Sequence, residues 1–366
     1  MQTYDLALVG FGGVSRALAQ LVAEDRQRFT QLGFGLRVVA ITDLLMGSLV
    51  QPDGIDLARV LAMPRGSTFA GAPGGSATPE NEAVIRGCAA DIVVEATFTD
   101  PREGEPASSH VRWALESGKH VVTTNKGPVA LQGAALHALA TARGLRFAHE
   151  GSVLSGTPVF NLIRGPLAGV HVTGFQGVLN GTCNYVLGRM ETGLSMAQAV
   201  AEAQQMGYAE ADPSADLQGS DVQLKVAILA NELLGAHVLP AQVTTTGIEG
   251  ISAHDITSAA ARGERWKLIG SAHLQADGSV HAQVTPRALS GIHPLAAVSG
   301  ATNALSLTTD LLGEVTITGP GAGRTQTAYA LIADIISIHA GTPAGTHGSI
   351  PAEDPSVNPA GLGADV

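Results

Sequence analysis

The stretch Leu6-Ala7-Leu8-Val9-Gly10-Phe11-Gly12-Gly13-Val14-Ser15 decides the fold. Four apolar residues form a buried strand. A glycine turn follows, and apolar residues then recur at helical spacing from Val14 to Glu24. Strand, tight turn and helix in that order are the context of a dinucleotide fingerprint. Gly10 permits the turn, and Gly12 and Gly13 let backbone approach a pyrophosphate. The N–H groups of the following helix, from Val14 on, face the phosphate charge. Ser15 stands where a third glycine is usual and loosens the helix–strand packing slightly. A glycine-rich turn with no ligand is the plain alternative.

The same rhythm continues to residue 150. Leu36 to Ile41, Asp91 to Glu95 and His120 to Thr123 read as strands. Helical patterns follow the last two, near Ser108 to Ser117 and Leu131 to Ala142. Alternation of this kind implies a doubly wound parallel sheet of the Rossmann α/β type. The second strand ends in Asp43, where an acid accepts hydrogen bonds from the adenosine ribose and repels a 2′-phosphate. No Arg or Lys follows before Arg59, so NAD is favoured over NADP. Asp43 lies further from the glycines than the usual ~20 residues, which the extra segment 24–35 explains. A turn or helix-capping acid is the other reading.

Beyond Glu150 strands are expected at 172–179, 278–285, 303–308 and 314–318, with helices near 195–206, 219–234 and 325–340. This is an α+β second domain. Ser195 and Gln198 fit a capping box, and Gly207 fits the helix stop. The division expected is 1–150 for the nucleotide, 151–318 for substrate and dimerisation, 319–340 returning to the nucleotide domain, and a tail at 341–366 that is extended or loosely ordered.

Composition bounds the function. At 366 residues, two domains are expected. Hydrophobic residues are 45% and charged residues 14%, the opposite of a disordered chain. The net charge of −11, with no basic cluster, excludes a nucleic-acid partner. Two cysteines, Cys88 and Cys183, make neither a disulfide framework nor a zinc motif, which suits a reducing, cytoplasmic setting. No apolar run reaches the ~18 residues of a membrane span, and the N-terminus lacks the pattern of a signal peptide.

Three clusters carry chemistry. Val122-Thr123-Thr124-Asn125-Lys126 ends a strand at the sheet edge where ligands sit; a snorkelling surface lysine is the bland reading. Asn180-Gly181-Thr182-Cys183-Asn184-Tyr185 reads as a substrate loop or a plain turn. Gly207-Tyr208-Ala209-Glu210-Ala211-Asp212-Pro213, with Asp216, Asp221 and Lys225, reads as a polar cleft edge or a solvated acidic loop. Asp221 and Lys225 share a helix face.

Together these clusters resemble the homoserine dehydrogenase family over about residues 4 to 340. The late run Gly319-Pro320-Gly321-Ala322-Gly323, then Thr327 and a helix through Asp334, also fits. Ser15, Thr124 and Cys183 depart from the family pattern, and none removes a catalytic group. The resemblance implies an NAD(P)-dependent, homodimeric oxidoreductase interconverting L-aspartate 4-semialdehyde and L-homoserine, in threonine, methionine and isoleucine biosynthesis. By resemblance Lys225 is the general acid, and Lys126 lines the pocket beside the nicotinamide. A placed ammonium stabilises the charge that develops on the carbonyl oxygen. Asp221 and Glu210 hold the substrate's amino or hydroxyl group, with Asp216 assisting, while Tyr208, Gly181 and Thr182 line the pocket. Thr97 and Phe98, after the strand ending at Glu95, meet the nicotinamide side, and Gly321 meets the cofactor. The Glu150 carboxylate and the carbonyls of Val153, Ser155 and Thr157 resemble the family's sodium site. Oxygen ligands suit such a hard cation, though a structural hinge explains the segment as well.

Two other functions compete with this reading. An aspartate-semialdehyde dehydrogenase-like enzyme needs a nucleophilic cysteine with a base, and Cys183 has no nearby histidine in sequence. A non-catalytic nucleotide sensor is at odds with the intact Lys126, Asp221 and Lys225 set. Many family members carry an added C-terminal amino-acid-binding domain. The stretch 341–366 is too short to enclose a core, so a short form without end-product inhibition through a tail is expected.

Overall fold

Hydrophobic runs and glycine turns become two sheets. In the computed structural model, which describes residues 1–341 apart from Arg65, the first sheet has seven strands. These are β1 (Gln2–Val9), β2 (Phe34–Asp43), β3 (Gly47–Val50), β4 (Gly75–Ser76), β5 (Ile92–Glu95), β6 (His120–Thr123) and β7 (Phe147–Ala148). Their order is β4-β3-β2-β1-β5-β6-β7. The ladder from β2 to β7 is parallel, with Leu8 opposite Ile41 and Val94, and Val94 opposite Val122. β3 and β4 add an antiparallel edge. Strands β5 and β6 are apolar on both faces because helices cover both.

The second sheet comprises β8 (Val172–Val178), β9 (Thr244–Thr245), β10 (Glu264–Leu274), β11 (Val280–Ser290), β12 (Thr302–Thr309) and β13 (Gly313–Pro320), in the order β13-β12-β8-β10-β11-β9. All its pairings are antiparallel except β11 with β9. The helix Ser220–Leu234 lies in the main core, with nine of its fifteen residues buried. Any charge on that buried surface must be partnered, and Lys225 is on it. A second core cluster takes Leu18 and Val22 of the helix Gly13–Glu24 and Leu331 and Ile335 of the helix Arg324–His339. The Tyr4 hydroxyl and His339 Nδ1, 3.2 Å apart, join the first strand to that late helix.

Several elements differ from expectation. β10 was not foreseen, because its residues mix charge and apolar groups without clean alternation. The segment 24–35 holds a helix, Arg26–Gln31, started by the Asp25 side chain accepting from the Arg28 N–H. The stretch read as a substrate loop at 179–185 opens a helix, Gly181–Met190, capped by Asn180. The capping box at Ser195 and Gln198 forms, and Gly207 adopts a positive φ of 73° just past that helix. The tail expectation falls, beyond Gly341, outside the described residues.

Candidate active site

The glycine turn is built by close approach. Gly10 has φ +82°, and its N–H donates to the Thr42 carbonyl at 2.8 Å. A Cβ there would stand 2.8 Å from the Ala96 carbonyl oxygen, so the turn needs glycine. Gly12 is the N-cap of the helix Gly13–Glu24 and has open space where its Cβ would be. No side chain caps that helix, which leaves its first N–H groups free for an anion. Phe11 is buried, Val14 half-buried, and the buried Ser15 hydroxyl has no partner among the described residues. An uncapped helix start beside an open glycine fits a pyrophosphate.

Asp43 is anchored at this turn. Its Oδ2 accepts from the Phe11 N–H at 2.8 Å, and its Oδ1 from the N–H groups of Leu45 and Met46 at 2.9 and 3.1 Å. The turn-acid role weighed from sequence is therefore present, and it holds a carboxylate against the glycines. Arg324 was missed from the sequence, whereas Gly321 is the residue the resemblance implied. Arg324, the first residue of the late helix, lays its side chain on Gly13, with Nε 2.9 Å from a Cβ built there. Gly321 lies so close to Asn303 that any Cβ would overlap the side-chain amide, a buried amide with no partner among the described residues.

Where the resemblance expects the nicotinamide, Asn125 organises the loop after β5. Its Nδ2 donates to the Phe98 and Thr97 carbonyls at 2.9 and 3.3 Å, and its Oδ1 accepts from the Gly127 N–H to cap the helix Lys126–Ala142. The Thr97 hydroxyl donates to the fully buried Glu95. Phe98 is 63% exposed, a large apolar surface.

The polar centre lies where two helices begin. Lys225 Nζ sits 2.8 Å from Asp221 Oδ2 and donates to the Leu179 carbonyl at 2.6 Å. Lys126 Nζ reaches Asp221 Oδ1 at 3.5 Å from the opposite side. Lys225 is nearly buried, with 8% of its side chain exposed, while Lys126 keeps 24%. Burial alone would raise the Asp221 carboxyl, but the two ammonium groups override it and hold it well below the usual carboxylate range. Asn180 ties the acids together, with Nδ2 donating to Asp216 Oδ1 at 2.7 Å and to Asp221 Oδ2 at 3.0 Å. Burial, aided by the charge of Asp221, raises Asp216 above its ordinary value.

The Thr182 hydroxyl donates to the Tyr208 carbonyl at 2.6 Å and brings the 207–212 loop to this centre. Gly181 starts the adjoining helix, and its Cβ would strike the Ala301 carbonyl oxygen at 2.7 Å. Tyr208 is exposed, and its ring packs at a tilt against Tyr185, with centroids 5.0 Å apart. Glu210 is exposed, and its carboxylate joins no contact of the cluster among the described residues. Cys183 is fully buried, its thiol gives its hydrogen to the Asp216 carbonyl, and burial with two nearby acids pushes its pKa well up. That is an inert thiol, the reverse of an activated nucleophile.

The Glu150 segment forms its own knot. Glu150 Oε1 accepts from the Val159 and Phe160 N–H groups at 2.6 and 3.1 Å, and Oε2 from the Asn161 N–H at 2.7 Å. Ser155 takes a positive φ of 55°, and its hydroxyl lies 2.8 Å from that of Thr327. The carbonyls of Val153, Ser155 and Thr157 accept no hydrogen bond among the described residues.

Two family models match this chain: "Homoserine dehydrogenase, NAD binding domain" over residues 10–150 and "Homoserine dehydrogenase" over 158–336. An NAD(+)-dependent homoserine dehydrogenase of Pseudomonas canavaninivorans is 58% identical over 341 residues, covering 93% of this chain and 97% of the relative. The chain belongs to the homoserine dehydrogenase family. A homoserine dehydrogenase of Methanocaldococcus jannaschii is 35% identical, covering 92% of this chain and 99% of its own. Among solved structures, a putative homoserine dehydrogenase from Archaeoglobus fulgidus superposes with a TM-score of 0.81 at 33% identity, over 92% of this chain and 99% of its own. A hyperthermophilic archaeal homoserine dehydrogenase in complex with NADPH gives 0.79 at 29%, over 93% and 99%. The homoserine dehydrogenase reading, with its NAD-binding domain, displaces the semialdehyde-dehydrogenase and sensor alternatives. Among the described residues no helix is long and apolar enough to cross a membrane.

Proposed function

We propose that this homoserine dehydrogenase interconverts L-aspartate 4-semialdehyde and L-homoserine with Lys225 as the proton donor. The carrying observation is the convergence of Lys225 and Lys126 on one carboxylate, Asp221, where two helices begin. Held by the glycine turn, a nicotinamide cofactor would supply the hydride chemistry at the aldehyde carbon. Lys225, fixed by Asp221 and the Leu179 carbonyl, gives its proton to the oxygen that gains charge. Lys126, more exposed, steadies that oxygen electrostatically. Asp221 and Asp216, joined by Asn180, bind the substrate's polar groups. Glu210 lies two residues past the Tyr208 carbonyl that Thr182 holds, which supports it as the carboxylate meeting the substrate ammonium. Tyr208, Gly181 and Thr182 line that pocket.

Gly10, Phe11, Gly12, Gly13 and Val14 take the pyrophosphate, Thr97, Phe98 and Lys126 flank the nicotinamide, and Gly321 closes the cofactor side. Asp43 meets the ribose, and a 2′-phosphate beside it would meet its negative charge. The relative named NAD(+)-dependent supports NAD over NADP here. We further read Glu150, with the unpaired carbonyls of Val153, Ser155 and Thr157, as a sodium site, and the division at 1–150, 151–318 and 319–340 as functional domains. Two buried free cysteines support a reducing, cytoplasmic setting. A homodimer is supported by the exposed apolar residues Ile292, Leu311 and Leu312 around the second sheet.

The test is a spectrophotometric assay with homoserine and each cofactor in one buffer. Turnover with homoserine and a higher kcat/KM for NAD are expected. No turnover refutes the activity, and a strong NADP preference refutes the Asp43 assignment. Repeating it with sodium replaced by choline tests the cation site, and light scattering tests the dimer.

A further inference from the structure

Away from the catalytic centre, His137, His149 and Glu232 meet from three elements. His137 belongs to the helix Lys126–Ala142, His149 follows β7, and Glu232 lies near the end of the helix Ser220–Leu234. His137 Nε2 is 3.1 Å from His149 Nε2 and 3.1 Å from Glu232 Oε1, and His149 Nε2 is 3.4 Å from the same oxygen. The three atoms form a nearly equilateral triangle.

The Glu232 oxygen can accept from both imidazole N–H groups, so hydrogen bonds can hold the triangle together. With the protons on the other ring nitrogens, the same two imidazole nitrogens present lone pairs beside the carboxylate oxygen, and three ligand atoms converge. A central cation makes all three contacts attractive, and a point roughly 2 Å from all three atoms lies just off their plane, the distance of zinc bonds to imidazole and carboxylate.

The surroundings are those of a metal centre. Glu232 Oε2 accepts from Arg164 at 3.0 Å, and His149 Nδ1 lies 3.5 Å from the Ser152 hydroxyl, an outer layer that orients both ligands. The Phe147 and Phe160 rings pack 5.0 and 4.9 Å from the His137 and His149 rings. His149 is buried, while His137 and Glu232 keep 17% and 15% of their side chains exposed, which leaves a way in from solvent.

We propose that His137, His149 and Glu232 bind a borderline divalent cation of the zinc type. Two imidazoles with one carboxylate suit such a cation better than magnesium or calcium, which favour all-oxygen sets. Glu232 lies seven residues, about 10 Å of helix, past Lys225, too far to touch substrate. The role is positional. The ion pins the helix that begins at Lys126 to the helix that carries Asp221 and Lys225.

Metal analysis of protein purified without chelators and without a metal-affinity matrix tests this. About one zinc per chain is expected. After chelation, cobalt(II) should give the intense visible bands of a tetrahedral site, and added zinc should raise the melting temperature. His137→Gln and Glu232→Gln, both at partly exposed positions, should abolish the bands while remaining folded by circular dichroism. Should either variant fail to fold, the cobalt titration of the wild-type chain decides. Substoichiometric metal together with no cobalt bands and no thermal shift overturns the proposal, as does unchanged metal binding in the folded variants. Homoserine turnover measured on the same samples separates failure of this site from failure of the assigned reaction.

Discussion

At the scale of single residues, the acid role proposed for Lys225 rests on its surroundings. Its ammonium is nearly buried, bound by one carboxylate and one carbonyl, and aimed where Lys126 also points. Lys225→Ala should lower kcat by about 10²-fold or more, the loss expected for a placed acid. Nucleotide affinity, read by fluorescence titration, should barely move, because the glycine turn is untouched. Unchanged turnover refutes the role. Asn180 gives a second prediction. It caps the helix Gly181–Met190 through the Cys183 N–H at 2.9 Å and donates to both Asp216 and Asp221. Asn180→Asp keeps the cap but sets a third carboxylate against two others. Turnover should drop at neutral pH and recover partly as pH falls and the cluster takes up a proton. A flat ratio of mutant to wild-type rate across pH 5 to 8, roughly the range of such coupled acids, argues that Asn180 acts through the helix alone.

At the scale of elements, helix starts matter most, since three of them carry residues proposed to meet cofactor or substrate. The starts at Gly13, Lys126 and Ser220 present the glycine turn, Lys126 and Asp221. The fourth, at Arg324, arrives from far along the chain and lays its side chain on Gly13. Arg324→Ala should raise KM for NAD by about tenfold, the scale of one charge-assisted hydrogen bond to phosphate, with kcat little changed. Equal KM values place Arg324 outside the cofactor's reach. Much of this was legible in the sequence, because Gly10, Lys126, Asp221 and Lys225 belong to short local patterns whose physics is local: a positive φ, a strand end, an i,i+4 pair. Arg324 was illegible for the opposite reason, as its contact with Gly13 spans almost the whole chain. The role of Asn180 is hidden in the sequence, since an Asn-Gly pair reads as a turn and here serves as a helix cap. β10 escaped because its two faces are both largely buried, which erases the alternation that marks a strand.

At the scale of the whole molecule, pH dependence of stability tests how the two sheets are joined. Asp334, on the late helix, accepts from the Glu150 N–H at 2.9 Å and from Asn161 Nδ2 at 3.3 Å, so it fastens the segment after β7 to the helix that returns to β1. Burial, and then the charge of Glu150, pushes its carboxyl up to about 8. An unfolded aspartate titrates near 3.9. Between those values the folded chain holds a proton that the unfolded chain gives up. Stability from this group is therefore fully present at low pH and lost as pH rises toward the folded value. Other groups confine the useful window. His149, pushed down by burial, costs stability only below its ordinary value of 6.5. Lys267, pushed down to about 8 by burial, makes stability rise with pH above that point. Asp221, held low by its lysines, contributes stability that is constant above the ordinary carboxylate range and is lost only in acid. From roughly pH 6.5 to 8, then, the slope belongs to Asp334 and to Glu150 beside it, whose carboxyl burial also raises. The melting temperature of the wild-type chain should fall across that window. Asp334→Asn keeps an acceptor for the Glu150 N–H and needs no proton, so its melting curve should be flatter there. Parallel slopes in the two proteins would show that the proton sits elsewhere in the Glu150 and Asp334 pair.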